Sequence, residues 1–189
     1  MLGYAFCGSY CTFSRSLEAL KRLIAQGYDV QPIMSERAYS EDTRFFKARE
    51  FSELVEGITG KSIIHTVVDA EPLGPKKPLD ALIIAPCTGN TLAKISLGIT
   101  DSAVTMAAKA HLRSDRPLLI ALASNDAMSQ NLGNIGDLLV RKSVYFVPLC
   151  QDDPVKKPHS LVAEMERVPE AFESMMRGVQ MRPLFLLPK

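Results

Sequence analysis

The stretch Pro86-Cys87-Thr88-Gly89-Asn90-Thr91 gathers a thiol, two hydroxyls and a carboxamide around one glycine. Groups of these types hold ligands by donating and accepting hydrogen bonds. Between a buried strand and the start of a helix they leave backbone N–H groups free and let a ligand approach the main chain. That is how α/β proteins hold anions and planar cofactors. The flanking sequence supplies both elements. Asp80-Ala-Leu-Ile-Ile-Ala85 is an apolar run suited to burial on both faces of a sheet, and Pro86 is expected to break it. Leu92-Ala-Lys-Ile95 opens a helix that Gly98 can stop, and Asp101 or Ser102 can cap a second helix running to Arg113. Spacing alone leaves open a plain strand–turn–helix corner with no ligand.

The order of residues says more. Ala85-Pro-Cys-Thr-Gly-Asn-Thr-Leu-Ala-Lys94, followed by Gly98-Ile-Thr-Asp101, resembles a block of the homo-oligomeric flavin-containing Cys decarboxylase-like flavoproteins. That block reads P-x-T-x-N-T-x-A-K, then G-I-x-D. The likeness runs from the N-terminus to about Cys150. It implies FMN, held by loops at the carboxyl ends of strands. The first loop would contribute Gly8, Ser9 and Thr12, with Gly8-Ser9 on the phosphate, and the second Ser35 and Ala38. The block itself would contribute Pro86, Cys87, Thr88, Asn90 and Thr91. Ser124 and Asn125 stand where the family has a P-A-M-N-like sequence, without its proline or its order.

Three further segments extend the likeness over nearly the whole chain, toward family members that form one half of a two-component synthase in spore-forming bacteria. They are Gly8-Ser-Tyr-Cys-Thr-Phe13, Glu71-Pro-Leu-Gly-Pro-Lys-Lys77 and Gln151-Asp-Asp-Pro-Val-Lys-Lys-Pro158. The resemblance implies oxidation of a dihydropyridine dicarboxylate to pyridine-2,6-dicarboxylate, done with the partner protein in the mother cell. It also implies a homo-oligomer, a trimer or a multiple of one, and a nicotinamide nucleotide can enter through the partner. FMN-dependent decarboxylase and flavin prenyltransferase are the other activities of the superfamily. Decarboxylating members carry a histidine shortly before the strand corresponding to Ala81–Ala85. Here the preceding histidine is His65, with a proline-rich loop between, so it reads as structural. The Gly-Ala-Ser-Gly loop of the prenyltransferases is absent near Ser9. A non-catalytic scaffold that supports the partner is the alternative from another class. No residue stands out as a general acid or base.

These residues need an α/β frame. The 189 residues fit one flavoprotein-type domain over 1–189, its final helix and tail (about 160–189) packing on the body or on a neighbouring copy. Apolar content of 47% and a formal charge of +1 give no electrostatic footprint for nucleic acid or an anionic membrane. No apolar run is long enough to span a bilayer, and MLGYAFCGSY lacks the charged start of a secretory signal, so a cytosolic location is expected. Four cysteines in such a chain read as small buried or loop thiols, and three histidines, none at a metal-ligand spacing from Cys7 and Cys11, argue against zinc.

The expected architecture is a doubly wound, mostly parallel sheet of five or six strands with helices on both faces. Leu2–Phe6, the first loop, a helix ended by Gly27 and the strand Tyr28–Met34 form a βαβ unit, with Thr12 or Ser14 as cap and no G-x-G-x-x-G fingerprint. Ser40–Gly60 reads as two short helices, Ser40-Glu-Asp-Thr opening the first. Phe45, Phe46 and Phe51 read as core or intermolecular-contact residues rather than a flavin shield. Lys61–Val68 could hold a short strand, and Glu71–Pro78 a stiff loop. Arg116–Ala123 is another apolar strand, Ser129–Arg141 a helix, and Ser143–Leu149 a last strand. Ser160 is expected to cap a final helix to about Arg177, bent at Pro169. The loop Gln151–Pro158 should hang over the same sheet edge as the flavin loops. Its prolines hold Lys156 and Lys157 where they could meet a substrate's carboxylates, or simply solvent or the partner.

Overall fold

Five buried residues in a row, Leu2–Phe6, form β1, the strand next to which the first half of the sheet grows. The structure, a computed structural model, describes residues 1–74 and 79–187. After β1 come a 3-10 turn at Tyr10–Thr12, α1 (Phe13–Ala25) and β2 (Val30–Met34), then α2 (Glu36–Ser40), α3 (Ala48–Thr59) and α4 (Val67–Ala70). The central block is β3 (Ala81–Cys87), α5 (Gly89–Leu97), α6 (Ala103–Leu112) and β4 (Leu118–Ser124). The remainder comprises α7 (Leu132–Leu139), β5 (Val144–Phe146), β6 (Leu149–Gln151), β7 (Leu161–Ala163), α8 (Val168–Met176) and β8 (Phe185–Leu186).

These eight strands make one sheet, in the order β2-β1-β3-β4-β7-β6-β8, with β5 also on β4. Pairing is parallel from β2 through β4, while β7 runs antiparallel to both β4 and β6. β4 shares one edge between two partners. Leu118–Ile120 pair with β5, and Ala123 and Ser124 pair with β7. The doubly wound expectation therefore holds, with more strands than the sequence suggested and an antiparallel extension. Strands β1, β3 and most of β4 are buried on both faces, which accounts for their unbroken apolar sequence.

Several local expectations change. β3 does not end before Pro86. It runs on to Cys87 with a register shift after Ile84, and the Pro86 carbonyl accepts the Cys7 N–H at 3.1 Å. A proline lacks only a donor, and a shifted register tolerates that loss. The run 143–149 divides at Val147 and Pro148 into β5 and β6. Ser160 caps no helix: it is buried just before β7, and α8 starts later with Pro169 in its first turn, where a missing N–H costs nothing. Ser40 ends α2 rather than opening a helix. Asp42 instead accepts the Ala48 N–H at 3.0 Å at the start of α3.

Lys61–Val68 yields only an isolated bridge between Ile64 and Ile33, after which Thr66 caps α4. Glu71–Leu73 is a 3-10 turn, and residues 75–78 of the proposed stiff loop lie outside the described residues. The second strand begins at Val30 rather than Tyr28, and α7 at Leu132 rather than Ser129. Phe46 and Phe51 join Phe6 and Phe13 in an aromatic cluster, with Phe13 and Phe51 centroids 4.7 Å apart, whereas Phe45 is exposed. That cluster fixes the start of α1 immediately behind the first loop.

Candidate functional site

The carboxyl ends of β1, β2 and β3 release the chain into three loops, and each loop leads into a helix. The starts of α2, α5 and α6, with Gly8 and Tyr10 of the first loop, line a cleft of about 660 Å³, within the usual range for small-molecule sites. Ser35 caps α2 by accepting the Ala38 N–H at 3.3 Å. Thr88 caps α5 by accepting the Thr91 N–H at 3.1 Å, and its own hydroxyl donates to Thr91 Oγ1 at 3.0 Å. The first N–H groups of α5, those of Gly89 and Asn90, have no intrahelical acceptor. Ser102 starts α6 with a reciprocal capping box on Thr105. The cleft is thus ringed by helix N-termini and by small hydroxyl residues, a donor set suited to an anion or to a polar ring edge.

Of the residues expected from the sequence, Gly8, Ser35, Thr88, Asn90 and Thr91 line this cleft. Asn90 is exposed and its carboxamide has no hydrogen-bond partner among the described residues. Ser9 heads the 3-10 turn, and its carbonyl accepts the buried Thr12 hydroxyl at 2.8 Å. Ala38 is buried behind the Ser35 cap, and Pro86 and Cys87 are buried inside β3. Ser124 lies beneath the α5 start: its hydroxyl bonds the Asp126 carboxylate, which also accepts from Asn131 at 2.9 Å. Asn125 is exposed and does not line the cleft. Nor do Lys156 and Lys157. Lys157 Nζ lies 2.5 Å from Asp152, and Lys156 is exposed on a turn whose N–H groups bond Asp153.

Sequence reasoning missed the charged members. Lys94 and Asp101 face the cleft as an ion pair at 2.8 Å, which holds the Asp101 carboxyl below its usual range. Both stand in the A-K and G-I-x-D parts of the block, where they count as pattern and their opposite charges go unremarked. Glu36 lines the cleft and accepts the Ala103 N–H at 3.1 Å, tying the second loop to α6. Tyr10 crosses the mouth: its phenol donates to the Arg37 carbonyl at 3.1 Å and lies 3.3 Å from Glu41. Partial burial and the Glu41 carboxylate push that phenol up. No periodicity marks these four, because they come together only where separate loops and helix starts meet.

No cysteine lines the cleft among the described residues. Burial pushes Cys7 up to about 11, against hydrogen bonding with Thr91 and Thr88. Burial also raises Cys87 well above an ordinary thiol, and only Cys11 is exposed. His65 lies outside the cleft lining, stacked on Tyr39 with centroids 3.7 Å apart. Among the described residues no group of side chains could hold a metal ion, and no helix is long and apolar enough to cross a membrane.

The profile of the family named Flavoprotein matches residues 2–172. The B-subunit of dipicolinate synthase from Bacillus subtilis (strain 168) is 39% identical over 185 residues, covering 98% of this chain and 92% of its own. The crystal structure of the same dipicolinate synthase B-subunit from Bacillus halodurans superposes with a TM-score of 0.91 at 40% identity, covering 100% of this chain and 96% of that one. The FMN-dependent cysteine decarboxylase SpaF shares the fold at 19% identity, with a TM-score of 0.68 over 93% of this chain and 95% of its own.

Proposed function

This chain belongs to the flavoprotein family, and from that premise we propose that it works as the B-subunit of a dipicolinate synthase, binding FMN in the cleft between β1, β2 and β3. The observation that carries the reading is the near full-length likeness to a protein of that name. Decarboxylases and prenyltransferases stand much further off in sequence, and His65 is stacked away from the cleft. The reaction is oxidation of a dihydrodipicolinate ring to pyridine-2,6-dicarboxylate, carried out with the A-subunit of dipicolinate synthase.

A bound flavin would supply the capacity to accept a hydride equivalent as the ring becomes aromatic. The protein's part is binding and orientation. Gly8 and the α5 N-terminus offer N–H groups to the cofactor's anionic and polar edges, while the Ser9 N–H is taken by the Cys7 carbonyl at 2.7 Å, and Asn90 offers a carboxamide. Tyr10 lies at the edge of the cleft, its phenol bonded to the Arg37 carbonyl and 3.3 Å from Glu41. In this reading the whole chain acts as one unit in the cytoplasm of the mother cell. It forms a homo-oligomer, and the final acceptor, a nicotinamide nucleotide or another, is reached through the A-subunit.

Titration of the purified chain with FMN tests the cofactor. Saturable binding and an absorbance band near ~450 nm are expected. Asn90→Ala should weaken FMN binding by about 1–3 kcal/mol, the cost of losing a buried polar contact in the complex. Oxidation of dihydrodipicolinate by the reconstituted pair, dependent on FMN, tests the reaction. Absence of saturable binding by the wild-type chain would remove the flavin from the proposal.

A further inference from the structure

A substrate with two carboxylates has to enter a cleft whose fixed charge is predominantly negative. Glu36, Glu41 and Asp101 line it, against only two cations, Arg37 and Lys94. Lys94 is committed. It sits 2.8 Å from Asp101 with 27% of its side chain exposed. Arg37 is not: 82% of its side chain is exposed, and its ion pair with Glu41 is long, 3.9 Å between Nε and Oε1.

Its backbone, by contrast, is fixed. Arg37 follows Glu36 in the first turn of α2, Ser35 caps that turn, and the Tyr10 phenol bonds the Arg37 carbonyl at 3.1 Å. The result is an exposed guanidinium on a fixed stem at the edge of the cleft, its side chain in no hydrogen bond among the described residues. A planar guanidinium meets a carboxylate through two parallel N–H donors, which an ammonium cannot do.

We propose that Arg37 is the specificity-determining residue for a dicarboxylate, exchanging its loose contact with Glu41 for a two-pronged contact with one substrate carboxylate. The proposal rests on the dicarboxylate reading above. Lys156 and Lys157 are the competing cations. They lie on another loop and do not line the cleft, and Lys157 is paired with Asp152.

The test is calorimetric titration of the FMN-loaded full chain, alone and with the A-subunit, using pyridine-2,6-dicarboxylate and pyridine-2-carboxylate as probes. Wild type should prefer the dicarboxylate by about ten- to a hundredfold, the range of one charge-assisted hydrogen-bonded pair. Arg37→Gln should abolish that preference, and Arg37→Lys should retain only part of it, with FMN affinity unchanged in both. Because the side chain is exposed, neither change disturbs the core. A preference kept by Arg37→Gln, or lost only in a Lys156→Ala/Lys157→Ala variant, overturns the assignment while leaving the dicarboxylate reading intact. A fall in FMN affinity without a matching fall for riboflavin also overturns it, assigning Arg37 to the cofactor's phosphate. A wild type that shows no preference removes the dicarboxylate reading, and the assignment with it.

Discussion

A methyl group at Gly89 would have nowhere to go. An added Cβ there meets Asn131 Nδ2 at 2.6 Å and Asp126 Oδ1 at 2.8 Å, and Ser124 Oγ more closely still. Ser124 Oγ donates to Asp126 Oδ1 and Asn131 Nδ2 donates to Asp126 Oδ2, so the Asp126 carboxylate ties both side chains in place. The glycine is required because the first turn of α5 lies against a half-buried polar set, and that set places the Thr88 cap and Asn90 at the cleft. Gly89→Ala should therefore destabilise the protein by about 1–3 kcal/mol, as overpacking does. The measurement is a shift in urea midpoint at constant slope. Ser124→Gly in the same variant should recover part of the loss, and independent, additive effects would show that the contact is not the cause. Ser124, expected from the sequence as a ligand contact, would then act through the α5 start rather than by touching a ligand.

The elements around the cleft are short, and their caps do much of the positioning. Ser35, Thr88 and Ser102 all accept an N–H from the third residue of their helices. Gly98, with φ of 73°, closes α5 and turns the chain toward α6. The far end of α6 carries a pH-dependent element. His111 is buried, with Nε2 2.8 Å from the Pro117 carbonyl just before β4, and desolvation lowers its pKa from 6.5 to about 4. Above pH 6.5 the imidazole is neutral in both folded and unfolded chains, and its contribution is complete. Between 6.5 and about 4 the unfolded chain takes up a proton that the folded chain refuses, so stability falls as pH falls. Going from pH 7 to 5 should cost about 2 kcal/mol at this residue. Denaturant midpoints at pH 7, 6 and 5 should show that slope in the wild type and a flatter one in His111→Gln. Equal slopes would place the pH dependence elsewhere.

Across the whole molecule, what the sequence made legible was whatever burial and chain reversal impose locally. Ala81–Ala85 and Leu118–Ala123 are apolar because both sheet faces are covered, and Gly27, Gly60 and Gly98 lie in the left-handed region at helix ends. The convergence of the first three loops followed from parallel strand order, and five of the expected residues do line the cleft. The antiparallel half was not legible. β6, β7 and β8 are each three residues or fewer, too short for any period, and their pairing joins segments far apart in sequence. The charged rim escaped for the same reason, since Tyr10 meets the Arg37–Glu41 segment only across two loops. The C-terminal run, an apolar tail in sequence, is the last strand of this extension. The Leu184 carbonyl accepts the Leu149 N–H at 2.7 Å, and β8 pairs in parallel with β6. Gln180, just before it, bonds both the N–H and the carbonyl of Phe146, at 2.8 and 2.7 Å. Removing residues 182–189 keeps the Gln180 contacts but strips β6 of its outer partner. An open edge of that kind loses its hydrogen bonds and invites pairing with another chain. The truncated protein should lose about 1–3 kcal/mol of stability and associate more as its concentration rises. Denaturant unfolding and light scattering at two concentrations measure both effects. An unchanged midpoint with unchanged scattering would mean that β8 does not protect the β6 edge.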